Sequence, residues 1–351
     1  GNGINESENQ VPSPLAPSLV AINKHTGRLV ARDDEVISTR LYKSQWSSPS
    51  LGMADGRPLI LYGAGDGSCY AFEPVEREDP ERVLTLRKRW ATDCNRSEYQ
   101  RPDYRRPERP TKMAGPSEII ATPVCVDGRV YAAVGRDPAR GRDAGCLNCL
   151  DAATGRRLWV YEDTGVSCGS AVVHEGLVYI VETFTKAHCL DARTGEVLWT
   201  HRDRGETWGT PLLAEGRLYV ATSMGLLIFG AGREGRRLNA VRLDSGVFSS
   251  PSAANGTLYL ASLGYLYAAR EAQAPPTDWA ARHPLPEPEE EAADPNAVAG
   301  DAATPRPGPA VAAPAVTLTA ADGPLDQLEI LLPLHEGLRI ASAPRTLHEI
   351  G

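Results

Sequence analysis

Cys149 to Trp159 reads CLDAATGRRLW, and 40 residues later Cys189 to Trp199 reads CLDARTGEVLW. Two near-copies at a fixed spacing make an internal repeat the first thing to test, because a missed repeat misassigns the whole fold. Ala21 to Ala31, AINKHTGRLVA, is a weaker third copy. A second landmark falls between these. A turn glycine followed by an alternating strand recurs from Val126 (VDGRVYAAVG), His174 (HEGLVYIVE), Ala214 (AEGRLYVAT) and Ala254 (ANGTLYLAS). Its tyrosines stand at 131, 179, 219 and 259, in steps of 48, 40 and 40.

Each period holds four short strands. The first runs into Ser/Thr-Pro, at Ser48-Pro49, Thr122-Pro123, Thr210-Pro211 and Ser250-Pro251. A glycine hairpin leads to the second, whose alternation fits a sheet packed on both faces. The third ends in Asp-x-x-Thr-Gly, at Asp151, Thr154, Gly155 and again at Asp191, Thr194, Gly195. There the Asp side chain can bind the turn backbone and Gly can take the positive φ that the turn needs. The fourth strand carries an indole, Trp90, Trp159 or Trp199, placed to dock structurally against a neighbouring repeat.

Four strands in about 40 residues, repeated, is the arithmetic of a β-propeller blade. Period-two alternation and glycine turns exclude helical repeats. Strands three and four of one blade fall at 18–36, blades at 46–93, 121–162, 168–203 and 208–244, and three strands of another at 248–270. That is about five and a half blades, so residues 1–270 are expected to be an all-β propeller, an N-terminally truncated seven- or eight-bladed ring. After Arg270 the sequence turns to Pro, Ala and Glu, as in PLPEPEEEAADP from Pro284. Such composition cannot bury enough apolar surface to fold, and 271–322 is expected to be a disordered linker or tail. Residues 323–351 stay unassigned; Leu325, Leu328 and Leu332 have helical spacing until Pro333 interrupts, as in a short docking segment or a frayed end.

The formal net charge is −8, which argues against nucleic acid as a partner, since a phosphate-binding surface needs a concentrated positive field. No apolar stretch approaches the ~18 residues of a transmembrane helix. Because Gly1 opens inside a blade, a signal peptide or lipid anchor upstream is compatible with the sequence. Seven cysteines are an odd number and cannot all pair within one monomer.

The Asp-x-x-Thr-Gly-x-x-x-Trp pattern at Asp151–Trp159 and Asp191–Trp199 resembles the tryptophan-docking repeat of the quinoprotein alcohol dehydrogenase superfamily, a repeat shared with BamB-type outer-membrane assembly lipoproteins. GNGINES at Gly1, QWSSPSLG at Gln45, GAGDGSCYAFEP at Gly63 and IIATPVCVDGRVYAAVGRDP at Ile119 look like a bacterial branch of exported pyrroloquinoline-quinone-like propellers. The resemblance covers residues 1–270 and implies a fold far more than an activity. It leaves two functions open. One is a non-catalytic, BamB-like binding propeller of the cell envelope or periplasm, with a protein or carbohydrate partner on the channel face and no cofactor. The other is a dehydrogenase using pyrroloquinoline quinone (PQQ) with calcium; a third reading is the sensor portion of a larger receptor. Ala31 and Asn239 stand where the docking indole is expected.

The dehydrogenases need calcium held by carboxylate and amide ligands, an Asp base and, in alcohol oxidisers, a disulfide between adjacent cysteines. No adjacent pair occurs here. Asp66 is the candidate ligand or base, although Asp-Gly between two strands reads first as a hairpin turn. Cys146 and Cys149 form a CxxC, but Leu150 replaces the His of haem attachment and no second ligand pair completes a zinc site. No catalytic or metal-ligating residue is therefore assigned, and His188 reads as a core or solvated side chain.

Counting back three from the proline of strand one gives Trp46, Trp208 and Phe248, with Ile120 in the same place. With Gln45 and Glu206 they are the candidate partner-binding rim of the channel, against the alternative of inter-blade packing. Residues 94–117 interrupt the period and carry Arg105, Arg106 and Arg109 among six cations against three anions. Long loops on rigid repeats commonly carry function, which makes these arginines candidates for holding an acidic partner; a solvated insertion is the alternative.

Overall fold

The computed structural model describes residues 11–41, 44–96, 118–135, 145–243, 245–270 and 327–333. These residues contain strands and one short 3-10 helix (Ile37–Arg40), with no α-helix among them. They group into two compact units, one of residues 1–251 with 260–263 and the other of 252–259 with 264–351.

The first unit holds four four-stranded antiparallel sheets in strict chain order. The first comprises β3 (Ser50–Ala54), β4 (Arg57–Gly63), β5 (Ser68–Phe72) and β7 (Lys88–Asp93). The second comprises β8 (Val124–Val126), β9 (Arg129–Gly135), β10 (Gly145–Asp151) and β11 (Arg157–Thr164). The third comprises β12 (Val172–His174), β13 (Leu177–Val181), β14 (Lys186–Asp191) and β15 (Val197–Arg202). The fourth comprises β16 (Leu212–Ala214), β17 (Arg217–Thr222), β18 (Gly225–Gly230) and β19 (Arg237–Arg242).

The turn between strands one and two sets the register. Asp55-Gly56, Asp127-Gly128, Glu175-Gly176 and Glu215-Gly216 each place both residues at positive φ, as a two-residue type I′ hairpin requires. Strands two and three are then buried on both faces, and apolar clusters join each sheet to the next. Leu59 and Leu61 meet Val130 and Leu150; Leu147 and Tyr131 meet Val178 and Leu190; Tyr179 and Trp199 meet Leu218 and Phe229. Sheets stacked face to face in chain order are what the repeat arithmetic requires of blades.

The partial blade near the N-terminus is built otherwise than expected. β1 (Val20–Ile22) and β2 (Leu29–Arg32) form a hairpin, and β6 (Leu84–Thr85) adds to β2 in parallel. β6 comes from the connection between β5 and β7, which the bond from Glu73 N–H to Arg87 C=O closes. Ala31, which lacks the docking indole, pairs with Leu84, and Leu86 is buried beside it. Arg28 bonds Glu78 and the Asp79 carbonyl, and Asn23 bonds Glu78. A long connection thus replaces a Trp as the tie between these two sheets.

The second unit holds β20 (Ser252–Ala254), β22 (Tyr265–Arg270) and β23 (Gln327–Pro333), with β21 (Thr257–Ala261) running from it into the first. β23 pairs antiparallel with β22 as the fourth strand of this sheet. The spacing of Leu328 and Leu332 had suggested a helix; the unpaired backbone groups along β22 favour an extended partner instead, and tertiary pairing overrides local periodicity. Residues 271–326 and 334–351 lie outside the described residues.

Candidate functional site

Two arrangements recur from blade to blade: a tie between sheets, and a row of lead-in segments. The tie starts in the Asp-x-x-Thr-Gly turn. Asp151 Oδ1 accepts from Thr154 N–H at 2.9 Å and from its hydroxyl at 2.7 Å, and these bonds hold its carboxyl below the usual range. Asp191 binds Arg193 N–H and Thr194 likewise. The turn offers a carbonyl to the preceding sheet, and in the fourth sheet the Gly230–Gly235 turn does so without the Asp and Thr. Trp90 Nε1 donates to Ala152 C=O at 2.9 Å, Trp159 Nε1 to Ala192 C=O at 3.1 Å and Trp199 Nε1 to Gly232 C=O at 2.9 Å. These indoles with their Asp, Thr and Gly partners are architectural.

The lead-in segments precede strand one, and neighbouring ones touch through backbone. Ser170 N–H donates to Thr210 Oγ1 and Thr210 N–H to Ser250 Oγ, each at 2.9 Å. A Cβ on Gly169 would stand 2.3 Å from the Gly209 carbonyl oxygen, and one on Gly209 2.5 Å from that of Ser249. Ser47 Oγ reaches the Ala121 carbonyl at 3.1 Å. Trp208 and Phe248 therefore stand on adjoining segments, 43% and 37% exposed, and Trp46 on another is 53% exposed. All three rings are left partly in solvent. Ile120 and Cys168 take the same position in the two intervening blades, both half-buried.

Glu206 sits beside Trp208, whose Nε1 donates to Oε2 at 3.2 Å. Two further apolar side chains belong to this face and were missed in the sequence. Met224 and Leu263 occupy the turns between strands two and three and are 44% and 64% exposed. The signal was there: Ser-Met-Gly fills a turn slot that holds Asp-Gly at 66–67. Gln45 does a different job from the one expected. Its amide is taken up by the Ser18 hydroxyl, the Tyr62 hydroxyl at 2.9 Å and Gly65 N–H at 3.1 Å, so it fastens the lead-in segment rather than offering itself to a partner. Arg105, Arg106 and Arg109 lie outside the described residues.

Asp66 does not fit a calcium ligand or a base. It is buried, with Oδ1 accepting from Ser68 N–H at 2.9 Å and Oδ2 from Arg40 Nε at 3.0 Å and the Tyr70 hydroxyl at 2.8 Å. Among the described residues no group of three or more His, Cys, Asp or Glu is placed to hold a metal. Cys146 and Cys149 point to opposite faces of β10, as a three-residue step along a strand dictates. Cys146 joins the core with Cys69 and Cys94, and Cys149 the one with Tyr131. Burial pushes the Cys146 thiol up to about 11 and that of Cys69 up to about 12, far from a reactive thiolate. His188 is a core histidine, with Nδ1 against the Tyr161 hydroxyl at 3.0 Å and Nε2 against Glu182 Oε1 at 2.8 Å. Among the described residues no helix is long and apolar enough to cross a membrane.

Residues 143–261 match the family model described as outer membrane protein assembly factor BamB. The structure is similar to BamB from Moraxella catarrhalis, with a TM-score of 0.51 and 19% identity over 69% of this chain and 63% of that one. It also overlaps quinohemoprotein alcohol dehydrogenase from Comamonas testosteroni, with a TM-score of 0.49 and 14% identity over 73% of this chain and 50% of that one. The chain thus spans less than two thirds of the length of either. No curated protein sequence matches it. With the stacked four-stranded sheets, these likenesses show a β-propeller fold in which residues 143–261 are similar to BamB-type repeats.

Proposed function

We propose that the chain is a non-catalytic binding propeller of the cell envelope, which holds a macromolecular partner on the face formed by its lead-in segments, the channel face of a propeller, and needs no redox cofactor to do so. The observation that carries this is the exposure of Trp208 and Phe248 on adjoining segments that contact one another through backbone. Large aromatics left in solvent on a rigid scaffold are the residues that dominate binding energy at interfaces. The family model matched over 143–261 describes an assembly factor of the outer membrane, which supports both the binding role and the envelope setting.

The test is capture. The tagged full chain and its Trp208→Ala/Phe248→Ala variant are exposed to envelope extract, with thermal unfolding as the folding control. The variant is expected to keep its unfolding temperature and to lose most of the captured material; equal capture sinks the proposal. Reconstitution with PQQ and calcium addresses the dehydrogenase reading: a stoichiometric chromophore with dye-linked alcohol oxidation would overturn ours. The internally bonded Asp66 and the lack of adjacent cysteines speak against that outcome.

A further inference from the structure

We infer that the lead-in face around Trp208 takes an extended peptide in which an Arg or Lys neighbours an apolar side chain, the cation seated over the Trp208 indole beside the Glu206 carboxylate. The inference rests on the binding reading above and names the chemistry of the partner.

The surface there is continuous. A Cβ on Gly246 would stand 2.8 Å from the Phe248 ring and 3.2 Å from Ser223 Cα, and one on Gly205 3.0 Å from Met224 Cγ. Ser223 N–H donates to Glu206 C=O, and Leu263 N–H to Gly246 C=O. Backbone thus holds Glu206, Met224, Phe248 and Leu263 in one patch next to Trp208, all within the first unit.

Glu206 is the charged side chain of the patch segments, and Arg204 and Arg242 are exposed at their borders. Residues 206–210, 222–225, 246–250 and 262–264 include Glu206 and no Lys or Arg. Glu206 is half-buried and has no ion pair among the described residues; its carboxylate accepts from the Trp208 N–H, which holds it at the indole edge. A carboxylate accepts about four hydrogen bonds, so this one retains capacity. A guanidinium or ammonium over the indole gains from the ring quadrupole and from the carboxylate together.

The neighbouring hydroxyls weigh against a carbohydrate. A sugar stacked on an indole needs polar groups around its rim, and each hydroxyl here already has one bond inside the fold. Ser223 Oγ accepts from Glu206 N–H, Thr210 Oγ1 from Ser170 N–H and Ser250 Oγ from Thr210 N–H, while Ser249 Oγ donates to the Ala261 carbonyl. The exposed Met224, Phe248 and Leu263 suit apolar side chains instead.

The probes are a capped heptapeptide alternating Arg and Leu, the same peptide with Glu for Arg, and cellohexaose, each titrated into the full chain by calorimetry. The Arg peptide is expected to bind, to weaken as salt rises, and to lose about fivefold or more in affinity in Glu206→Gln and in Trp208→Ala, as removal of a cation–π or charge-assisted contact implies. Val197→Ala, an exposed side chain on the fourth strand β15 and away from the lead-in face, should leave it unchanged. Equal binding of the Glu peptide, tighter binding of cellohexaose, or an unchanged affinity in Glu206→Gln would overturn the inference. If Trp208→Ala/Phe248→Ala abolishes envelope capture while the Arg peptide shows no preference, the binding face stands and the peptide chemistry falls. If capture is also unchanged, both fall.

Discussion

Trp90 packs against the α-carbon of Gly155 in the next sheet so closely that a Cβ there would stand 2.6 Å from indole Cδ2, while Trp90 Nε1 holds the carbonyl of Ala152 at 2.9 Å. Trp159 with Gly195 and Trp199 with Gly235 repeat the relationship, at 2.7 and 2.5 Å. The turn glycine is therefore constrained twice, by its positive φ and by the ring upon it. The two constraints are separable.

Gly176 has nearly the same φ as Gly155, +72° against +73°, but nothing within 4 Å of a Cβ. Gly176→Ala should cost about 1 kcal/mol, the penalty of the left-handed region alone. Gly155→Ala should cost about 2–4 kcal/mol, because the methyl also displaces the indole. Chemical denaturation of both variants measures the difference. Equal losses would mean that the ring yields freely and the tie is loose.

Removing the ring tests the same tie from its other side. Trp90 and Trp199 are buried and Trp159 is half-buried, so Trp90→Ala and Trp199→Ala should each lose about 3–5 kcal/mol and Trp159→Ala less. Losses below about 1 kcal/mol in the first two would show that the sheets are held by their apolar clusters alone.

How far these ties are readable from sequence depends on where the partner lies. The Trp and its turn belong to the repeat itself, so spacing reveals both. The substitute at Ala31 is not readable, because β6 lies in a connection with no repeat counterpart and acts through its pairing with β2. The place of Trp208 and Phe248 follows from the proline register, but their exposure depends on neighbouring sheets and no periodicity reports it. Gln45 illustrates the same gap: its partner Ser18 lies 27 residues back. β23 shows the limit of short apolar runs, whose spacing fits helix or strand until a sheet edge decides.

Turn chemistry offers a gain rather than a loss. Glu175 and Glu215 sit at φ of 47° and 48° in type I′ hairpins where the last blade has Asn255 at 53°. Asn tolerates the left-handed region far better than Glu. Glu175→Asn and Glu215→Asn should each add about 0.5 kcal/mol of stability, read as a rise in the denaturation midpoint at unchanged slope. A fall in either midpoint would mean that the glutamate makes a compensating contact.

The buried row Tyr161, His188 and Glu182 should give the protein an acid-sensitive joint between two blades. Burial pushes the Glu182 carboxyl up, but the hydrogen bond from His188, a backbone N–H from Gly165 and the charge of Lys186 outweigh it, and the group titrates below its ordinary range. A carboxyl lowered by folding binds fewer protons folded than unfolded, so its stabilisation is complete above the unfolded value of about 4.3 and is lost as pH falls through the lower folded value. Glu182→Gln removes that titration. Unfolding free energy measured between pH 6 and 3 should therefore fall less steeply in Glu182→Gln than in the parent, whatever their difference at pH 7. Tyr161→Phe keeps the carboxylate and removes the hydroxyl on Nδ1; it should cost about 1 kcal/mol at neutral pH while leaving the acid slope in place. Parallel slopes for parent and Glu182→Gln would show that the acid sensitivity resides in other carboxylates and that this row serves packing alone.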